Sequence, residues 1–424
     1  MPESNILVVV VDGLRAAALG GYGNTTYPTP ALDQFAAEAS VLDFCFAPSD
    51  DLPAVYRAMW QSCHPARPLA ASSPHGSSSL PEILAGTGFQ TKFITDEKAL
   101  LGVGAANHFH ECSHYEGGDD YTAAIQASDV SHTQIGRLFA AAAECIVADQ
   151  SDRANESRRL LWVHSRGMYG PWDAPREYQQ SLLDDGASAI ACASAPRIEL
   201  CADDDPDIAF RYATAYAAQV FALDFAWQVV EASLAEATDA GQPWCVVLMG
   251  SRGFPLGENG LIGGTDSKLT SAQLHVPCMI RLPEGRGRLV RCDTLVSHLD
   301  VLPTLLEVAG PLEGVRFESD GASWIQYVQG TSVTDRGPHL AANDSVIAIR
   351  TPRWCFRASR KIELGASARE DDAEADPAKP ELFVRPDDRW EANDVSKLCL
   401  DVVDELQSLL QSTLDHFAMS MGQK

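Results

Sequence analysis

The chain is predicted to fold as an α/β protein with a mostly parallel central sheet flanked by helices. Residues 6–11 form an uninterrupted apolar, β-branched run, as expected of a strand buried on both faces of a parallel sheet. Comparable short runs recur at 91–94, 160–163, 245–249 and 278–280. Stretches with helical spacing of apolar residues lie between them, and strand alternating with helix implies βαβ units. With 424 residues, 46% of them hydrophobic, the chain can bury a large core and carry a smaller satellite beside it.

The helices follow from the same periodicity at 29–39, 80–86, 134–148, 209–237 and 301–309. Pro303 falls in the first turn of the last of these, where its missing N–H costs little. Two polar tracts interrupt the pattern. Residues 184–207, rich in Asp, Ala and Ser, read as a surface excursion, and residues 366–380 as a solvated loop. A strand is expected at 381–384. A final helix follows, with Leu398, Val402, Leu406, Leu409, Leu410, Leu414 and Phe417 on the face that docks. The expected division is an α/β domain over 1–335 and a small subdomain over 336–424.

Charge and cysteine usage narrow the function. Acidic residues number 58 against 32 basic, a formal charge of −26, which repels nucleic acid and anionic membranes. The N-terminal MPESNILVVV has no basic flank, and its apolar run is too short for a signal peptide or a membrane span. The eleven cysteines are scattered, many in apolar strands, as befits buried free thiols in a reducing compartment. A cytoplasmic protein is expected.

In an open α/β sheet, ligands bind beyond the carboxyl ends of the strands. The residues to examine are therefore Asp12, 95–98, 164–171 and 250–253. Several segments there, taken in order, resemble the sulfatase family of the alkaline phosphatase superfamily. SNILVVVVDGLR with YPTPALDQFAAEA resembles that family's opening strand, metal loop and first helix. SLPEILAGTGFQT, GPWDAP, CVVLMGSRGFPLGENG and VSHLDVLPTLLEVAG resemble later landmarks of its main domain. IRTPRW and ELFVRPDDRWEANDVS resemble its small antiparallel C-terminal part. The resemblance implies a sulfatase-like fold with a small C-terminal α+β subdomain, and hydrolysis of sulfuric or related esters. It also implies a divalent cation, usually calcium, held by oxygen ligands, with a formylglycine nucleophile in a C/S-x-P-x-R motif.

This chain departs from the family at most of those positions. The first metal loop, Asp-Asp in the family, reads Asp12-Gly13, and the second, Asp-Asn or Asp-His, reads Ser251-Arg252. APSDDLPAVYRAMWQSCHP places Leu52 at the nucleophile position, with Asp50 and Asp51 beside it. Tyr56 stands at the motif arginine, and Arg57 falls one place beyond. The Lys-x-His loop reads Asp96 and Lys98, and the Pro-His of the substrate-side loop reads Met168-Tyr169. Losing nucleophile, base and most ligands together points to an inactive site that binds a small anion, a sulfated ligand or a protein partner. Under that reading no cofactor is needed. Calcium, through Asp12, belongs only to a site that kept the family metal. The alternative is an ester hydrolase with a rearranged site, in which Asp51 is the nucleophile and Arg57 or Lys98 assists. Sequence leaves oligomeric state open.

Charge balance gives an expectation at atomic level. Two family carboxylates have become Gly13 and Ser251, while Arg252 has arrived beside the retained Asp12. The guanidinium is expected to replace the cation and pair with Asp12, with Asp50 or Asp51 nearby. His164, at the end of its strand, and Tyr169 belong to the same expected pocket. Elsewhere, HFHECSH carries His108, His110, Cys112 and His114 at alternate positions. These are zinc or copper ligand types, but on a strand they lie ~7 Å apart, so they read as a polar segment. His298 is expected to pack at a helix start, and neither Ser62 nor Ser165 has triad partners in view.

Overall fold

The computed structural model describes residues 4–67, 78–115, 127–148, 157–183, 188–201, 203–205, 207–265, 268–311, 315, 317–330, 336–360 and 379–419. Five strands lead up to the excursion: β1 (Asn5–Val11), β2 (Ser40–Phe46), β3 (Gln90–Thr95), β4 (Glu111–His114) and β5 (Arg159–Ser165). Six more follow, namely β6 (Ile198–Glu199), β7 (Trp244–Gly250), β8 (Leu261–Ile262), β9 (His275–Val276), β10 (Cys278–Arg281) and β11 (Arg291–Ser297). The C-terminal region adds β12 (His339–Ala342), β13 (Val346–Arg350), β14 (Trp354–Ser359) and β15 (Glu381–Val384).

Nine of these strands form one sheet in the order β11-β2-β10-β7-β1-β5-β3-β4, with β9 beside β2. β1 lies at its centre, parallel to both β5 and β7. All seven of its residues are buried, which is why it reads as a continuous apolar run. Only β9 and β10 run against the rest. The sheet's two faces are separate cores. Val8, Val10 and Trp162 pack with the helices Leu52–Gln61 and Val301–Ala309. Val9, Val11 and Val163 pack under Gln134–Ala148 and the long Asp207–Asp239 helix.

Two of the main strands escape the sequence reading. β2 carries Asp43, and β11 carries Arg291 and Asp293, because both lie towards one edge, where part of the strand meets water. The nucleophile-like segment is a helix from Leu52, with Pro53 in its first turn and Asp51 as its N-cap. The long helix starts at Asp207 rather than at 209. The described part of the excursion is more than a solvated tract, since β6 within it pairs with β8.

The C-terminal strands form an antiparallel sheet in the order β12-β13-β14-β15. Strand alternation gives it two working faces. Leu340, Ile347, Ile349 and Phe356 pack with Val403, Leu406 and Leu410 of the terminal helix Leu400–Met419. Ala341 and Ala348 on the other face join the main core. The expected docking stripe needs one correction. Leu398 precedes the helix and is 82% exposed, while Val403 takes a buried place. Of the loop expected at 366–380, all but residues 379 and 380 lies outside the described residues. No described helix is long and apolar enough to cross a membrane.

Truncating Leu410, which is fully buried, should cost about 2–5 kcal/mol as Leu410→Ala. Leu398→Ser should stay within about 0.5 kcal/mol of wild type. Urea unfolding of the two variants checks the corrected stripe.

Candidate functional site

The site begins with the register of three parallel strands. Val11 of β1 lies opposite Gly250 of β7 and Ser165 of β5. The ladder continues one residue further, through Asp12 N–H to the Ser165 carbonyl (2.9 Å) and Ser251 N–H to the Val11 carbonyl (3.3 Å). Asp12 and Ser251-Arg252 are therefore delivered to one place. The expected pairing is formed there. Arg252 Nε donates to Asp12 Oδ1 and Nη2 to Oδ2, both at 3.0 Å, and the Ser251 hydroxyl donates to Oδ1 at 2.5 Å. The planar fork matches the planar carboxylate.

Two further contacts fix the guanidinium. Nη1 donates to the Asp50 backbone carbonyl at 2.7 Å, and the Tyr169 ring lies 4.4 Å from Cζ, a cation–π geometry. Burial works against the arginine's charge, yet the Asp12 field and hydrogen bonds outweigh it and hold Arg252 above its ordinary value. Tyr169 is itself anchored, its hydroxyl 3.1 Å from the Gly253 and Gly264 carbonyls. Asp50 accepts from Asn343 Nδ2 at 3.1 Å, so the C-terminal sheet reaches into the site.

Gly13 is required by this packing. Its φ is +75°, and a Cβ there would meet Met168 Cβ at 2.8 Å and the Tyr169 ring at 3.1 Å. Met168 and Tyr169 thus fill the space that a second metal-loop carboxylate would enter.

Beside the fork, Tyr56 and His164 make a buried pair. Tyr56 Oη lies 2.6 Å from His164 Nδ1 and accepts from Trp162 Nε1 at 3.5 Å. Burial brings His164 down to about 4, with Asp12 opposing and Arg252 reinforcing that shift. Sequence named Tyr56 only as a replacement; the side chain proves to be the partner that orients His164. Asn343 carried no local signal, because its contact spans the whole fold.

The remaining candidates disperse. Leu52 is buried in the core. Asp51 is exposed and accepts the Ala54 N–H at 2.9 Å as the helix cap. Arg57 is half-buried one position beyond Tyr56, and Lys98 is exposed at the start of a short turn. Asp96 is buried; Oδ1 accepts the Arg166 N–H at 2.7 Å, and Oδ2 has no partner among the described residues. Burial pushes Asp96 up to about 7. His298 donates from Nε2 to the Gly250 carbonyl at 2.8 Å, supporting the end of β7. Ser62 bonds the Leu299 carbonyl and Ser165 accepts the Gly167 N–H. His108, His110 and Cys112 turn to separate partners, Ser79, Thr91 and the Ala106 carbonyl. Among the described residues, no three His, Cys, Asp or Glu side chains are grouped to hold a metal ion.

Residues 4–311, almost all of the strand-and-helix body, match the model of the sulfatase family. The chain belongs to the sulfatase family. Among curated proteins, none is similar enough to match. Solved structures with this fold include the phosphonate monoester hydrolase of Agrobacterium radiobacter (14% identity, 97% of this chain, 96% of that one, TM-score 0.72). A 2-O GAG sulfatase matches at 17% identity over 98% and 93% of the two chains, TM-score 0.67. A protein solved with its substrate D-glucosamine-2-N,6-O-disulfate matches at 14% over the full length of both, TM-score 0.67. At these identities the likeness is one of fold.

Calcium, the cation usual in sulfatases, does not fit the donors present. One strand-end carboxylate remains at the metal loops, and both its oxygens already receive hydrogen bonds from Arg252 and Ser251. A guanidinium at that distance would repel a divalent ion.

Arg252→Ala should cost about 3–5 kcal/mol, because it leaves Asp12 buried and unpaired. The double variant Asp12→Asn, Arg252→Leu should recover most of that loss in urea unfolding. Equal losses in both would mean that pairing is not the cause.

Asp96 gives a pH signature. The unfolded side chain ionises near pH 4, whereas the folded one stays neutral until about 7. Its favourable contribution is full below pH 4 and is lost as pH rises to 7. Asp96→Asn should therefore stabilise the protein by on the order of 1–4 kcal/mol at pH 8. That gain should fade by about pH 4, as thermal unfolding across that range will show.

Proposed function

We propose that this sulfatase-family protein is a non-catalytic homologue that uses its strand-end cleft for binding. The observation that carries this reading is the fork of Arg252 on Asp12. A guanidinium takes the cation's electrostatic role, and a guanidinium has no open coordination position for an ester oxygen. The surroundings support it. Leu52 stands at the nucleophile position as a core residue, and Tyr169, where the family has its substrate-side histidine, serves to stack on Arg252. In this reading residues 1–335 are the sulfatase-like body, and 336–424 a subdomain that braces the site through Asn343. The free thiols suit a cytoplasmic location.

The ligand class we favour is a sulfated small molecule or another small anion. Arg166, 42% exposed at its side chain and paired with Glu97 at 3.3 Å, and exposed Lys98 place cations at the strand ends. A fold neighbour binds D-glucosamine-2-N,6-O-disulfate, and a ligand of that chemistry is the natural first probe. The rival is hydrolysis through Asp51. Against it, that carboxylate already caps the helix at Ala54.

Purified full-length protein should not turn over p-nitrophenyl sulfate, p-nitrophenyl phosphate or a phenylphosphonate monoester above buffer rates. Calcium, magnesium, manganese, zinc or chelator should make no difference. Turnover abolished by Asp51→Asn would establish the carboxylate-nucleophile alternative, and turnover abolished by Asp12→Ala would return the metal-loop position to catalysis.

A further inference from the structure

Four histidines gather where the C-terminal sheet meets the body. His64, His298 and His339 are enclosed and His275 partly so. The rings of His275 and His339 lie 4.8 and 5.7 Å from that of Phe46, and Arg350 sits over the same ring at 4.1 Å. His64 ties the two layers together. Its Nε2 donates to the Leu340 carbonyl of β12 and its Nδ1 accepts the Ala66 N–H, both at 3.0 Å. The ring also stacks on Phe417 of the terminal helix at 5.2 Å. The neutral ring with its proton on Nε2 uses both nitrogens; a second proton, on Nδ1, would point at the Ala66 N–H. Next in the seam, His339 Nε2 has no hydrogen-bond partner among the described residues.

We propose that this cluster is an acid-operated release: when its rings take up protons, the C-terminal sheet and terminal helix come away from the body while the nine-stranded sheet stays folded. The inference does not depend on whether the strand-end site is catalytic.

The charges around the cluster are mostly positive. His339 faces Arg350, His64 and His298. His64 faces Arg67 and Arg360 against one carboxylate, Asp320, which Arg67 already forks. His298 has Asp300 nearby, forked in turn by Arg336. His275 faces Arg350, Arg385 and Arg15. Glu391, a carboxylate in the seam, is bound by Arg350 and Arg357. New imidazolium charges would find repulsion and few free anions. Burial keeps His64, His275 and His298 down to about 4 and holds His339 well below its ordinary value. Stability from the neutral rings is thus whole above the unfolded value near 6.5 and is lost as the pH falls towards 4.

Two features let the sheet leave as a unit. Its outer face has its own apolar cluster with the terminal helix. Its inner face meets the body through small apolar residues, Ala341 and Ala348, and through polar ties that include Asn343 to Asp50 and Arg350 Nη1 to Ser271 Oγ at 2.6 Å. A unit that keeps its larger apolar cluster on its own side can open by itself.

Thiol labelling of the full-length protein tests the release. Cys355 of β14 is buried on the seam side, its Sγ 3.4 Å from Arg350 Nη2. Cys245 of β7 is buried in the main sheet. Pulses of 4,4′-dithiodipyridine near pH 7 and near pH 5 are compared with the denatured protein at each pH, and labelled peptides are mapped. Cys355 should react at least ~10-fold faster in acid while Cys245 stays protected. His64→Gln with His339→Asn should abolish that acceleration; if this variant does not fold, His339→Phe answers the same question. Equal exposure of Cys245, no acceleration at Cys355, or acceleration unchanged in the histidine variants would each overturn the proposal.

Discussion

The geometry of this protein turns on a carboxylate that has to be neutralised where it stands. Asp12 leaves the end of the central strand, buried, with β7 and β5 delivering their own ends on either side. A charge so placed needs a partner of opposite sign or it destabilises the fold. A metal ion answers that need without regard to direction. A guanidinium answers it only in a plane, and the rest of the site follows from that plane. The Tyr169 ring lies against one face, the Asp50 carbonyl meets the remaining edge, and Gly13 stays small to admit Met168 and Tyr169. Through Asp50 the same arginine sets the entry to the Leu52–Gln61 helix, and through Asn343 it is linked to the C-terminal sheet.

The neighbouring interior fits this arrangement. Where a polar catalytic segment belongs in the family resemblance, the helix buries Leu52 and Tyr56, and Tyr56 closes on His164 under Trp162. Arg252 forks onto Asp12, and Tyr56 is buried and hydrogen-bonded to His164. The histidine that remains is held neutral by its surroundings.

Much of this was legible in the sequence, for reasons that can be stated. β1 is buried on both faces, so its apolar run is unbroken, and the helices 134–148 and 301–309 carry clean periodicity. The Asp12–Arg252 pair could be anticipated because adjacent parallel strands in register bring their carboxyl ends together, and because charges must balance when buried. β2 and β11 hid behind charged residues on partly exposed strands. Asp51 looked reactive in isolation, but its spacing before Ala54 makes it a cap. The link from Asn343 to Asp50, and the seam of histidines around Phe46, join positions hundreds of residues apart. No local pattern encodes such contacts; they exist only once the C-terminal sheet has docked.

The central claim, that Arg252 performs the electrostatic work of a cation, is tested most directly by calcium titration of thermal unfolding. A ligand that binds only the native state raises stability in proportion to the logarithm of its excess concentration. The account predicts melting temperatures that coincide in chelator and in millimolar calcium. A melting temperature that climbs steadily with calcium, and falls back on chelation, would contradict it.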